Sequence, residues 1–219
     1  MSSGRPTRPY EMANRTRQAS ETRRRIVEAA AYLFESEGYP GTSIASIADA
    51  AGVAVPTVYA SMRSKANILR GVIDLTIRGD VAAVPLAARE PWLQMEQEPD
   101  PRRRLRLFAR IHREIGDREA AIFAQLEAAA GGDPEAAEML SEHDRRRYET
   151  QSRLARSLHR RKQLKRGLGA RRATDVIWTL ASERTYLAMV RDRGWKPRAY
   201  ERWVADQLAA ALLPPEGHR

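Results

Sequence analysis

The stretch Thr42–Lys65, TSIASIADAAGVAVPTVYASMRSK, constrains this chain more than any other, because it spells out two short helices and the turn between them in local signals. Thr42 or Ser43 can accept a hydrogen bond from a free amide at a helix start. Ile44, Ile47 and Ala48 then recur at the three-and-four spacing of one buried face. Gly52, in Ala51-Gly52-Val53, supplies the left-handed residue that stops the helix and turns the chain sharply, with Val53 as an apolar plug beneath. A second helix follows, with Pro56 in its first turn, where a missing amide costs nothing. Val58 points back toward Ile47, while Val55, Thr57, Tyr59 and Ser61 face outward. The unit is a helix-turn-helix whose second helix presents small, polar and aromatic groups.

The flanks extend the pattern. A first helix starts near Ser20 or Glu21, carries Ile26, Ala29, Ala30, Leu33 and Phe34 on one stripe, and stops at Gly38. A fourth starts at Ser64 and turns Ile68, Leu69, Val72 and Ile73 inward. With these residues the run Ile26–Leu69 resembles the DNA-binding domain of the TetR family of bacterial transcriptional regulators. The resemblance lies in Glu37-Gly38-Tyr39, the Thr42-Ser43 start, the Ala51-Gly52-Val53 turn, Thr57-Val58-Tyr59 and Ser64-Lys65. It implies that Val55, Pro56 and Tyr59 make base or thymine-methyl contacts and that Thr57, Ser61 and Lys65 grip phosphates, with Thr42 and Ser43 in the same DNA-binding set. Ala45 departs from the family, which often carries a polar or basic reader there. The second helix also lacks Arg, Lys, Asn and Gln, so apolar contacts, DNA shape and the basic N-terminus are the expected sources of specificity. The resemblance further implies a double-stranded DNA operator, a homodimer, and a C-terminal half that binds a small-molecule effector.

Composition agrees with an all-α protein: hydrophobic residues make up 42%, and no sustained Val/Ile/Thr alternation appears. Zero cysteines and four scattered histidines (His112, His143, His159, His218) give no metal-ligand spacing, and no cofactor is expected. Gly-rich phosphate loops and nucleophile-elbow serines are missing from the sequence, and Glu114 with Asp117, or Glu183 beneath Trp178, read as solvated or salt-bridged groups, so no catalytic residue is assigned. A net charge of +10 favours polyanions, either nucleic acid or an acidic membrane surface. No apolar run reaches the length of a bilayer span and no signal peptide is read, which makes a cytoplasmic protein without membrane association the expectation.

Three segments are expected: a flexible basic arm over residues 1–20, the helix-turn-helix domain over 21–70, and a helical ligand-binding and dimerisation domain over 71–219. The arm sets Arg5, Arg8, Arg15 and Arg17 against Glu11, to track phosphates, enter a minor groove, or simply solubilise. Past Asp80, Pro85, Pro91, Pro99 and Pro101 break the chain into a short helical piece and a loop from Glu96 to Pro101, leaving Trp92 and Met95 in irregular chain. One helix then carries Leu105, Phe108, Ile111, His112 and Ile115, and another Ile122, Phe123 and Leu126 before Gly131-Gly132. Asp133-Pro134 opens a long helix toward Leu164. The nine Lys or Arg residues between Arg153 and Arg172, with no acid among them, read as a solvated helix end and loop. A helix from about Arg172 to Arg191 and a last helix after Pro197 close the chain. Trp203, Leu208 and Leu212 are expected to meet a symmetry mate. A mainly apolar pocket is expected among Phe108, His112, Phe123, Tyr148 and Trp178, with His112 or Glu183 as polar anchor, for a hydrophobic or amphipathic ligand; the plain alternative is that these side chains fill a core. Two other readings stand beside the ligand-released repressor: a dimeric DNA-binding regulator with no small-molecule effector, and a basic helical protein acting at membrane surfaces.

Overall fold

The structure, a computed structural model, describes residues 8–78 and 90–215, in which every regular element is a helix. They are α1 (Arg8–Gly41), α2 (Ile44–Ala50), α3 (Val55–Met62), α4 (Lys65–Arg78), α5 (Glu90–Gln97), α6 (Pro101–Ala130), α7 (Pro134–Arg160), α8 (Ala170–Leu180), α9 (Glu183–Tyr186, continuing as a π-helical turn Leu187–Asp192) and α10 (Pro197–Leu212). The expected all-α class holds. The chain forms two compact units: Met1–Ile77 together with Ala124–Met139, and Arg78–Phe123 together with Leu140–Arg219. The first unit thus recruits a segment that the sequence boundaries at 20 and 70 left in the C-terminal domain.

In the first unit, Ile26, Ala30, Phe34, Ile47, Ile68 and Leu69 are fully or almost fully buried, so the stripes of α1, α2 and α4 meet as their spacing predicts. Gly71 lets α4 approach α1 closely, since a β-carbon there would stand 2.7 Å from Val27 Cγ2. Gly38, at φ +75, breaks α1 as expected. The start of α1 is a correction. It is helical from Arg8, so of the expected flexible arm only residues 1–7 lie outside the described structure. The run Glu11–Arg25 contains no Gly or Pro, and Pro9 falls in the first turn, so intrinsic propensity sustains a helix even though Thr16–Ser20 bury nothing.

In the second unit, Trp92 and Met95, expected in irregular chain, are buried on α5. Helix α6 runs unbroken where two helices were expected. Gly116 lies inside the helix as a seat for an aromatic ring: a β-carbon there would meet Tyr186 Cδ2 at 2.5 Å. Helix α7 ends at Arg160 rather than near Leu164, and the basic segment beyond it closes other helices. Arg161 donates to the carbonyls of Glu96 (3.3 Å) and Glu98 (3.2 Å) at the end of α5, and the amide of Lys165 donates to the carbonyl of Leu212 (2.8 Å). The expected single helix from Arg172 to Arg191 breaks at Ala181 (φ −102, ψ 73), where Ser182 accepts a hydrogen bond from the Thr185 amide at 3.1 Å and starts α9. On α10, Leu208 and Leu212 are 0% exposed within their own unit, which removes them from the expected dimer seam, while Trp203 remains half-exposed. A stripe at helical spacing cannot say which of two neighbours it meets, and here α8 and the π-helical turn take it.

Candidate functional site

The reading head is assembled by caps. Ser43 holds the start of α2 through a reciprocal pair, the Ser46 amide donating to Ser43 Oγ (2.9 Å) and the Ser43 amide to Ser46 Oγ (3.0 Å). Thr42, placed in the DNA-binding set by resemblance, is corrected: it is 2% exposed, and its hydroxyl donates to the Gly38 carbonyl at 2.9 Å, closing the end of α1. Helices α2 and α3 meet at 103° across Gly52, whose φ is +62, an angle within the roughly 90–120° of a helix-turn-helix. The Arg25 guanidinium, from α1, donates to the carbonyls of Ala51 and Gly52 and clamps that turn. Val58 and Met62 are buried, one turn apart, and Pro56 sits in the first turn of α3. Val55, Pro56, Thr57 and Tyr59 are therefore turned out together, Tyr59 with 52% of its surface exposed, and Ser61 is half-buried beside them. Sequence reading passed over Arg63. It is exposed directly after α3 at φ +68, a strained position for a side-chain-bearing residue, and supplies the cation that α3 itself lacks.

Lys65 stands in a more crowded place than a plain phosphate contact. Its ammonium lies 4.3 Å from the centroid of the Tyr39 ring, and burial lowers its pKa while the charge of Asp133 works in the other direction. Tyr39 is itself a junction. Its ring packs 5.3 Å from Phe34, its amide donates to Gln125 Oε1 (2.7 Å), and its hydroxyl donates to Asp133 Oδ2 (2.7 Å). Asp133 caps α7 with its other oxygen, accepting from the amides of Glu135 (3.0 Å) and Ala136 (3.3 Å). The hydrogen bond from Tyr39 holds its carboxyl below the ordinary range. Ser64 caps α4 and donates to Glu135 Oε2 at 2.6 Å. These bonds bring the segment 124–139 into the reading head.

A second polar cluster lies inside the other unit. His143, Arg147 and Gln151 recur every four residues on α7 and face the break between α8 and α9. The carbonyls freed by that break are taken up: Arg147 donates to Trp178 O (2.8 Å) and Ala181 O (3.2 Å), and Gln151 donates to Ala181 O (2.9 Å). Glu183, in the first turn of α9, stands 3.3 Å from His143 Nε2 and 3.4 Å from Arg147 Nε. Burial pushes Glu183 up, but the His143 hydrogen bond and the charges of His143, His112 and Arg147 outweigh it and hold the carboxyl at about 2. His112, on α6, packs its ring 6.4 Å from Phe108 and 6.2 Å from Tyr200, with Nδ1 3.4 Å from the Tyr200 hydroxyl. Burial lowers it to about 4, and the imidazole is neutral at pH 7. His112 also meets the Ala181 backbone, and among the described residues Gln151 Oε1 has no hydrogen-bond partner.

Residues 26–72 match the family of bacterial regulatory proteins, tetR family. Residues 26–72 carry the signature of the TetR family. Similar proteins carry the same type: an HTH-type transcriptional regulator of Pseudomonas putida, TtgW, is 33% identical over 90 residues, which is 41% of this chain and 58% of that protein. The chain thus matches little more than half the length of that relative. Two solved structures share the fold: NalD, the secondary repressor of the MexAB-OprM multidrug efflux pump in Pseudomonas aeruginosa (22% identity, TM-score 0.67, 89% of this chain and 98% of that one), and a transcriptional regulator from Saccharomonospora viridis in complex with choline (18% identity, TM-score 0.66, 90% and 100%). These relatives are regulators rather than enzymes, in line with the sequence reading.

Against that family frame, the six residues expected to form a pocket separate. Phe108 and His112 are in ring contact, Phe123 (5.2 Å from His143) and Glu183 meet through His143, and Trp178 sits at the edge with the Arg147 guanidinium 4.5 Å over its ring. Tyr148 does not join them, because its hydroxyl donates outward to Asp175 Oδ1 (3.0 Å). The residues that sequence reading missed, His143, Arg147 and Gln151, carried a usable signal: three polar side chains at a four-residue period interrupting the apolar face between Met139 and Leu154. The His112 environment has a pH signature. Its folded pKa of about 4 lies below the ordinary 6.5, so as pH falls the unfolded chain takes up the proton first. The stability this gives is fully present above pH 6.5 and lost on descent to pH 4, by at most on the order of 3 kcal/mol. Glu183 loses its own contribution lower, between 4.5 and 2. Urea unfolding at pH 7, 5 and 4 will show this limb in the native protein and a flatter one in His112→Gln; parallel limbs would place the titration elsewhere.

Proposed function

We propose that this TetR-family protein is a homodimeric operator-binding repressor, released from DNA by a hydrophobic or amphipathic small molecule bound in its second unit. The observation that carries the DNA reading is the outward set Val55, Pro56, Thr57 and Tyr59 on a helix pinned from beneath by Val58 and Met62. Such a helix fits the major groove, where base pairs differ in donors, acceptors and thymine methyls. Tyr59→Ala weakens specific binding by roughly 1–3 kcal/mol, the value of one good base contact. Lys65→Ala weakens specific and non-specific duplexes alike and lowers the salt slope by about one unit. Anisotropy titrations over a salt series separate the two effects, and a change of sequence preference in Lys65→Ala would reverse the assigned roles.

A dimer belongs to this reading because two recognition helices about 34–36 Å apart fit one turn of duplex. The half-exposed Trp203, with the exposed Asp206 and Ala210 on the same side of α10, is the surface we assign to the partner copy. Trp203→Asp then gives a folded monomer in sedimentation, whereas Leu208→Asp, which charges the core, gives an unfolded chain; a Trp203→Asp dimer would move the seam.

The effector reading is supported by the aromatic cluster of Phe108, His112 and Tyr200 on inward faces of the second unit and by the relative solved with choline. A ligand that prefers a spacing unfit for DNA needs only about 1.4 kcal/mol of difference between states to cost tenfold in DNA affinity. In a panel of amphipathic molecules run against the protein–DNA complex, an active compound loses its effect on His112→Ala while DNA binding persists; equal release of both proteins would locate the ligand elsewhere.

A further inference from the structure

Helix α1 is far longer than its packing requires. From Thr16 onward the first residue it buries is Ile26, so Thr16–Arg25 adds almost no apolar area to the core. Those turns are charged out of proportion. Residues 1–25 hold seven arginines against Glu11 and Glu21, a balance of +5 within a whole-chain charge of +10. Arg17, Arg23 and Arg24 are all exposed, and Arg17 and Arg24 stand two turns apart on one face. Arg24 pairs with Glu28 at 3.9 Å, an exposed pair that holds the arginine only weakly. The direction of this helix is fixed relative to the reading helix, because Arg25, the next residue, clamps the Ala51 and Gly52 carbonyls at the turn that leads into α3.

We propose that the stretch of α1 before Arg25 is a second DNA-binding element, a basic rod that lies along the phosphates flanking the base pairs read by α3. The inference rests on the DNA-binding reading above. From Arg8 to Arg25 the helix is about 27 Å long, and duplex of that length carries roughly 16 phosphate charges. Being already helical, the rod avoids the ordering cost that a flexible arm would meet on binding. Its guanidinium groups suit phosphate oxygens and carry no sequence information, so it adds affinity, salt dependence and orientation rather than base choice. An anionic membrane is the poorer partner, since the apolar and aromatic side chains from Arg8 to Arg25 are Pro9, Tyr10, Met12, Ala13 and Ala19, gathered at its start rather than along one face.

The test uses the full chain, a duplex of about 30 base pairs of random sequence, and the logarithmic salt dependence of the binding constant. The native protein is compared with Arg17→Ala/Arg23→Ala/Arg24→Ala and with the same three positions changed to Lys. The alanine variant is expected to lower the slope by about 2–3 units and the lysine variant to keep it, because each lost phosphate contact removes roughly 0.9. An alanine variant with the native slope overturns the rod, and so does one whose only loss is binding to phosphatidylglycerol vesicles. A native protein that binds no duplex at all overturns the DNA-binding reading itself, a result that the native titration alone identifies.

Discussion

The hydroxyl of Tyr39 donates to the carboxylate of Asp133 across 94 residues of sequence, and much of the first unit is arranged around that bond. Tyr39 follows the Gly38 break that ends the long part of α1, so its position sets the path into α2. Its ring backs Phe34 in the core and carries Lys65 on the other side, at the first residue of α4. Asp133 in turn caps α7, and Gln125, near the end of α6, accepts from the Tyr39 amide. The ends of two helices that continue into the second unit are thereby part of the structure that holds α2 and α3.

The second unit is organised by a different constraint, the break at Ala181. A helix interrupted in a core leaves carbonyls without partners, and each such group costs free energy unless a donor reaches it. Arg147 and Gln151 supply those donors. A buried guanidinium then requires a compensating charge, which Glu183 provides, with His143 on its second oxygen. The cluster is a local consequence of the break, and it places an ionised carboxylate and a neutral imidazole in an aromatic surround. In the proposed mechanism this is where a ligand would exchange one set of partners for another.

What could be read from the sequence follows from how local each signal is. The Ser43 cap, the Gly52 turn and the Val58–Met62 face are all decided within a few residues, and the reading head was legible for that reason. Thr42 and Ser43 are both good caps, and only the position of the Gly38 carbonyl decides that Thr42 turns inward. Gly116 could not be interpreted without Tyr186, seventy residues on, whose ring fills the space a side chain would take. The outward reading of Leu208 and Leu212 failed on the same ground, because an amphipathic helix does not record which neighbour covers it. The polar stripe of α7 was visible as a pattern, but its meaning depended on a helix break some thirty residues away.

The central claim is that this chain reads duplex DNA as a pair of α3 helices. Selection of bound duplexes from a random-sequence pool by the full-length protein, followed by sequencing, tests it directly. The account predicts enrichment of an inverted repeat whose half-site centres lie one helical turn, about 10 base pairs, or a multiple apart. It also predicts that Tyr59→Ala degrades the repeat. A pool that shows no enrichment, or enriches one unpaired half-site, would contradict it.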